Sequence, residues 1–352
     1  MSLRTGKLPA AALAELLGRV RHADPRVLLG PGIGRDAAVI DLGGDRLLVA
    51  KTDPVTFAAD QIGHYTVNVN ANDIACMGGR PAWMLATALL PPGTPDDLPG
   101  RIFDQLISAC EALGVELVGG HTEVTPDVTQ PIIVGAMLGN AARDEIVLGE
   151  GARPGDRVIL TKGIAVEGTA LLAREYGSTL ERRGLASAMI GRAAELLRDP
   201  GISVVADARA ICDATHPRAL HDPTEGGIAT ALEELAVASN CTIRIDLPRI
   251  PILQETRHVC DTLALDPLGL LASGALLAIV DARDCDAVFA RLAGVKIECQ
   301  VIGAVEAGPA KVIMGDQDAA APLPHFDRDE IARFIEGVQA SGNPDIDHAE
   351  GL

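Results

Sequence analysis

Residues 149–157, GEGARPGDR, divide the chain: glycine, proline and charged residues fill every position but one. Such a stretch suits a connection rather than a packed element, and a β-like run, Arg157 to Thr161, starts straight after it. With 352 residues the chain also exceeds the size at which one core keeps growing. The reading is therefore two domains, 1–150 and 151–340, followed by a mobile tail, SGNPDIDHAEGL, at 341–352 that has little to bury.

The pattern on both sides of the divide alternates helix and strand. Leu13, Leu16, Leu17 and Val20 recur at helical spacing behind Pro9, which predicts a short opening helix within 8–20. Strand-like runs follow at 37–40 and 47–52 around the turn signal Gly43-Gly44-Asp45, the second ending in Asp53-Pro54. A helix is predicted over 98–113, with strands at 115–118 and 132–138. In the second half, helices are expected near 167–175, 184–197, 226–239 and 284–293, and strands at 157–161, 242–245, 275–280 and 296–301. The fold class is α/β. No internal repeat is visible.

Composition removes several functions. Acidic residues number 48 against 30 basic ones, and a net charge of −18 argues against a nucleic-acid binder, whose affinity comes largely from Lys and Arg. Hydrophobic residues make up 48% but aromatics only 2%, so the cores must be built from Ala, Val, Leu and Ile. The seven cysteines include no CxxC pair, and an odd count fits reduced thiols in the core. The longest apolar stretch, GLLASGALLAIV at 269–280, is too short for a bilayer span, and Glu15 and Arg19 interrupt any signal-peptide core. A cytoplasmic protein with no membrane segment is expected.

Five blocks carry chemistry. GPGIGRDAAVI at 30–40 places Gly32 and Gly34 before Asp36, and glycines let a backbone approach a phosphate, though the spacing is not that of a dinucleotide loop. VAKTD at 49–53 lacks the glycines of a P-loop, Asp45 and Ala50 standing in their places. Asp53 at a strand end could hold Mg²⁺ against phosphates; an aspartate capping a turn before proline is the plainer alternative. HYTVNVNANDIACMGGRP at 64–81 reads two ways. As a strand it aligns Asn68, Asn70 and Asn72; as a helix it aligns His64, Asn68 and Asn72 beside Asp73. HDPTEGGIATALEEL at 221–235 sets Asp222 before a pair, Gly226 and Gly227, that opens a helix, a suitable seat for a phosphate and its metal or merely a helix start. The fifth is GGHTEV at 119–124, which alone decides nothing. Together the blocks gather Asp36, Asp53, Asp73, Glu123 and Asp222 next to glycines or strand ends, the oxygen-rich supply that Mg²⁺ with a nucleotide requires.

The order GIGRDAAVI, TDP, IGHYTVNVNANDIACMGGRP, GGHTEV, HDPTEGGIATALEE and DPLGLLASG resembles the AIR synthase-related superfamily over about 28–315. That superfamily includes PurM, the hydrogenase maturation protein HypE, thiamine-monophosphate kinase and selenophosphate synthetase, and the pattern is nearest to the HypE-like branch. The resemblance implies a PurM-like two-domain fold, with amino-terminal sheets joined into a barrel in a homodimer and a ferredoxin-like α/β domain behind. It implies ATP in the cleft between domains and Mg²⁺ held with the phosphates by Asp36, Asp53, Asn72, Asp73 and Asp222. Gly32, Gly34, Asn70, Gly119, Gly120 and Gly226 would approach the nucleotide. Lys162 is a candidate phosphate contact, or else a solvated loop lysine.

The implied chemistry is ATP-driven activation of an amide, carbamoyl or similar oxygen on a small-molecule or protein-borne substrate, releasing ADP and phosphate. Asp73 and His121 are the catalytic candidates, His121 as a general base or substrate anchor. A small-molecule kinase and a non-catalytic dimeric scaffold are the alternatives. Three departures bear on the substrate. Thiamine-monophosphate kinases carry two adjacent aspartates where Arg35 precedes Asp36, and an aspartate in place of His121. HypE proteins end in a cysteine tail, whereas the last cysteine here is Cys299. Selenophosphate synthetases carry a reactive residue near the start, where this chain has no cysteine before Cys76.

Overall fold

A computed structural model describes residues 6–8, 10–21, 23–32, 34–315 and 320–341. Pro9 and the tail beyond 341 lie outside the described residues. The first half contains α1 (Ala10–Leu17), β1 (Val27–Leu29), β2 (Ala38–Ile40), β3 (Arg46–Val55), α2 (Ile62–Cys76), β4 (Arg80–Leu90), α3 (Leu98–Leu113), β5 (Glu116–Val124) and β6 (Ile132–Ala142). The second half contains β7 (Arg157–Thr161), α4 (Val166–Glu175), α5 (Gly177–Arg182), α6 (Ser187–Glu195), α7 (Val205–Ala214), β8 (Ala219–His221), α8 (Gly227–Ala238) and β9 (Thr242–Ile245). It closes with α9 (Gln254–Leu263), β10 (Leu277–Val280), α10 (Cys285–Gly294), β11 (Cys299–Glu306), β12 (Lys311–Met314), β13 (Ala321–Pro322) and α11 (Glu330–Ser341).

Each half supplies one sheet. The six-stranded sheet runs β1-β2-β3-β6-β4-β5, and the seven-stranded one runs β13-β12-β9-β11-β7-β10-β8. Their faces differ. Along β6, burial alternates residue by residue, the period of a strand with one covered face. β10 is buried at all four positions. Its Leu277 and Ile279 enter one apolar cluster and its Ala278 and Val280 another, so layers cover both faces of that sheet. Each large aliphatic residue buried this way contributes about 1.5–3 kcal/mol.

The 64–81 block is the helix α2 up to Cys76, and it lies against β3, β6 and β4 of the first sheet on one side and α7 and β8 on the other. Thirteen of its fifteen residues are buried. The approach to the sheet is close because β6 carries glycine where the helix presses: a Cβ at Gly135 would strike the Asn70 amide, and one at Gly139 the Ile74 side chain. A helix buried on all sides cannot leave its asparagines to water, so each must find partners in the protein.

Three strand readings change. β3 runs on through Asp53 and Pro54 to Val55, so Asp53 lies within the strand rather than at its end. β5 begins at Glu116 and runs past Val118 through all of GGHTEV, a longer strand than the 115–118 expected. The whole of β4 went unread behind Gly78-Gly79-Arg80-Pro81, because punctuation of that kind usually marks a loop. All seven cysteines are free. Among the described residues no helix is long and apolar enough to cross a membrane.

Candidate active site

The asparagines of α2 build the site's frame. Asn70 Oδ1 accepts the Asp53 N–H at 2.9 Å, and its Nδ2 donates to the Asp53 carbonyl at 3.2 Å and to Thr66 O at 2.9 Å. Asn72 reaches into the second half. Its Nδ2 donates to Ile202 O at 2.9 Å and Asp222 Oδ2 at 2.8 Å, while its Oδ1 accepts from Val204 N at 2.8 Å. Both amides are thus committed to protein partners: Asn70 fixes the backbone of Asp53, and Asn72 ties α2 to the loop that carries Asp222.

Carboxylates collect around this frame. Lys51, two residues before Asp53 and so on the same strand face, places Nζ 3.4 Å from Asp53 Oδ2 and 3.0 Å from Asp73 Oδ2. Asp73 is buried, and the Lys51 ammonium is the positive charge that faces its Oδ2. Next to them, His221 lies 3.1 Å from Asp36 through Nδ1 and 2.9 Å from Glu234 through Nε2. Asp222 is 1% exposed, and its Oδ1 has no partner at all.

Burial and neighbouring charge together set the protonation of these groups. Desolvation, reinforced by the charges of Asp36 and Asp53, pushes Asp73 up to about 7 despite Lys51. Desolvation and the charge of Asp73 push Asp222 far above the usual carboxylate range, against its hydrogen bond from Asn72. For His221 burial opposes charge, yet Asp36 and Glu234 outweigh it and hold the imidazole protonated. Lys51 behaves alike: burial works against its ammonium, and Asp73, Asp53 and Asp36 raise its pKa nonetheless. The pocket therefore holds more carboxylate than its own cations neutralise, and the excess is met by protons. A divalent cation fits this donor set, since the carboxylate oxygens of Asp73 and Asp222 are hard ligands and the buried Oδ1 of Asp222 has no partner within the protein. Among the described residues no three acidic, histidine or cysteine side chains converge into a ready cage. That arrangement suits Mg²⁺, which keeps water or phosphate oxygens alongside one or two carboxylates.

The other sequence-predicted residues are distributed unevenly. Gly34, with φ 70°, packs on Glu234, and with Arg35, Asp36 and His221 it lines a void of about 10 Å³, roughly one water in size. Gly32 instead lies under the Arg35 side chain. Gly226, φ 86°, opens α8, but its N–H already donates to Asp329 Oδ2 at 2.7 Å. Lys162 is not solvated, and its ion-pair partner lies outside the acid cluster. Its side chain is 7% exposed, with Nζ 3.1 Å from Asp207 Oδ2 and donating to Ser203 O at 2.6 Å.

GGHTEV stands apart from the acids within one chain. Asp53 pairs with Gly135, Gly135 with Ala86, and Ala86 with Gly120, three strand steps or roughly 14 Å. A Cβ at Gly120 would strike the Ala86 carbonyl, so this glycine serves the β4–β5 pairing, while Gly119 meets only Leu85. His121 is exposed on the edge strand, its Nε2 3.0 Å from Glu123 Oε2. A cleft of about 630 Å³ lies elsewhere again, between Arg80 and Glu145 of the first half and Arg209, Cys212 and His216 of the second.

Sequence reading missed Lys51, His221 and Glu234. Lys51 was within reach, because residues two apart on a strand share a face with Asp53. The His221–Glu234 and His221–Asp36 pairs were not, since they depend on how β8, α8 and the 30–40 segment dock.

Two sheets, a polar helix clamped between halves and a carboxylate cluster at their junction define a two-domain α/β protein with an acidic site where the halves meet. The chain belongs to the AIR synthase-related family: the N-terminal domain model matches residues 34–141 and the C-terminal domain model residues 153–316. Within it, the chain is 30% identical over 314 residues to a carbamoyl dehydratase HypE of Rhizobium leguminosarum bv. viciae, covering 87% of this chain and 85% of that protein. It is 30% identical over 271 residues to the HypE of Cupriavidus necator, 74% and 73% of the two chains. A selenide, water dikinase of Trichlorobacter lovleyi is 29% identical over 292 residues, 80% and 78%. The fold matches a solved hydrogenase maturation protein HypE in complex with ATP, with TM-score 0.68 and 24% identity over 86% of this chain and 90% of that one.

Proposed function

We propose that the chain uses ATP to phosphorylate a carbamoyl or amide oxygen and so dehydrates its substrate. It is an ATP-dependent enzyme of the HypE-like branch, and the observation that supports the reaction is the cluster of buried Asp73 and Asp222 with partly exposed Asp36 and Asp53, in which Asp222 Oδ1 has no partner. The relatives named carbamoyl dehydratase point to the same chemistry. Phosphoryl transfer asks the protein mainly to position reactants and offset developing charge. The substrate oxygen forms a bond to the γ-phosphorus as ADP leaves, and one N–H proton departs. Loss of the phosphate with the second N–H proton then leaves a carbon–nitrogen triple bond. Mg²⁺, when bound, supplies positive charge between the carboxylates and the phosphates. Asp53 and Asp73 would hold it, with Asp222 and Asp36 beside them.

Lys51 balances these acids in its absence and Asn70 fixes the Asp53 backbone, so the cluster is preorganised. Asp73 is also placed to accept a proton. We place the domain line at 150/151 and read the protein as cytoplasmic. The uncovered face of the first sheet exposes Trp83 and Leu85, which we read as the surface that joins a second copy. That copy would supply His121 and GGHTEV to a shared site.

Calorimetric titration with ATP, with and without Mg²⁺, tests the reading. Metal-dependent binding that is lost in Asp53→Asn and Asp73→Asn supports it; equal binding by both variants overturns the metal assignment. With carbamoyl and amide substrates, free phosphate should appear with ADP. Phosphate retained on the acceptor would make the protein a kinase.

A further inference from the structure

The cations near the site are mostly spent. Lys51 is held by Asp53 and Asp73, Lys162 by Asp207, and Arg35 by Glu150 at 3.0 Å. Lys7 is the exception. Residues 6–8, ahead of α1, lie against the DPTEGG loop at 222–227, where the Lys7 N–H donates to Glu225 Oε2 at 3.1 Å and its Nζ donates to Thr224 Oγ1 at 3.0 Å. Gly6, with φ 113°, adjoins the same carboxylate: a Cβ there would lie 3.9 Å from Glu225 Oε2. Among the described residues Lys7 has no ion-pair partner, and its ammonium rests on a neutral hydroxyl. The same loop carries Asp222, buried with an unpartnered Oδ1, and leads into the amino terminus of the twelve-residue helix α8.

A polyphosphate entering a site lined by Asp36, Asp53, Asp73, Asp222 and Glu234 meets repulsion unless positive charge accompanies it. An exposed lysine hydrogen-bonded only to a threonine exchanges that bond for a phosphate oxygen at little cost and gains a charge-assisted one. We propose that Lys7, held against the 222–227 loop by Glu225 and Thr224, binds the terminal phosphates of the nucleotide. The inference rests on the ATP-binding reading above and names a phosphate contact other than Lys162.

Calorimetry on the full chain with Mg²⁺ separates the two ideas, using ATP and AMP on the parent, Lys7→Ala and Lys7→Arg. Lys7→Ala should weaken ATP by about tenfold, the value of one charge-assisted hydrogen bond, and leave AMP within about twofold. Lys7→Arg should recover most of the ATP affinity. Parent that binds ATP beside a Lys7→Ala variant that binds it equally well overturns the role of Lys7 alone. Equal losses for ATP and AMP overturn it too, since residues 6–8 would then cover the ligand without reading its phosphates. A parent that fails to bind ATP overturns both this inference and the reading beneath it.

Discussion

α2 and β5 carry the two most distinctive motifs of the chain, and the fold treats them in opposite ways. α2 is buried at thirteen of fifteen positions, with Asn70 and Asn72 fully hydrogen-bonded within the protein. β5 is exposed at every position but Leu117, and His121 meets only Glu123. Motif specificity therefore does not reveal whether a polar group is a strut or a free hand. Burial does, because a buried amide must be satisfied inside while an exposed one can wait for a ligand.

The sharpest way to break this contrast is Asn72→Leu. It strips Asp222 Oδ2, Ile202 O and Val204 N of their partner at once, and orphaned buried groups cost about 1–3 kcal/mol each. We expect a loss of about 3 kcal/mol or more in urea unfolding; a loss below about 1 kcal/mol would show that the halves are not tied through this side chain. Gly139→Ala comes next. Its Cβ enters the Ile74 side chain, and overpacking of that kind costs about 1–3 kcal/mol. An unchanged unfolding midpoint there would mean that α2 has slack against the sheet.

A pH experiment sharpens the same contrast. Glu167 is buried with an unpartnered Oε2, and desolvation raises its carboxyl to about 7. In the unfolded chain it titrates near 4.5, so between these values the native state binds the extra proton. Stability attributable to Glu167 is then full below the lower value and declines as pH rises through about 7. Glu167→Gln removes that decline. The variant should gain on the parent by about 1 kcal/mol or more between pH 5 and pH 8, and parallel curves would contradict a buried, protonated Glu167.

Much of the architecture is legible in the order of residues alone. The strand at 157–161 and the helix at 98–113 stand where periodicity placed them, because each is a compact apolar pattern with clear punctuation. The resemblance supplied the family, and the acids Asp53, Asp73 and Asp222 do meet around Asn70, Asn72 and Lys51. Asp36 joins them through His221. What stayed hidden was set by distance along the chain. Glu234 lies 13 residues from His221, and Asp36 lies 185 away. Lys162 misled because an isolated lysine in a glycine-containing loop looks solvated, and only tertiary packing places Asp207 beneath it.

The smallest effect is the most informative about β5. His121→Ala removes an exposed imidazole and its contact with Glu123, whose carboxyl His121 and Thr125 hold below the usual range by hydrogen bonding. Exposed pairs of this type contribute little, so the unfolding midpoint of the dilute protein should not move. Protonation of Glu123 at low pH should abolish whatever small difference exists, because a depressed carboxyl stabilises only above its folded titration range. If His121 instead completes a site shared between copies, turnover falls while stability stays put. A variant that loses both would show that β5 is as structural as α2, and the contrast between the two motifs would dissolve.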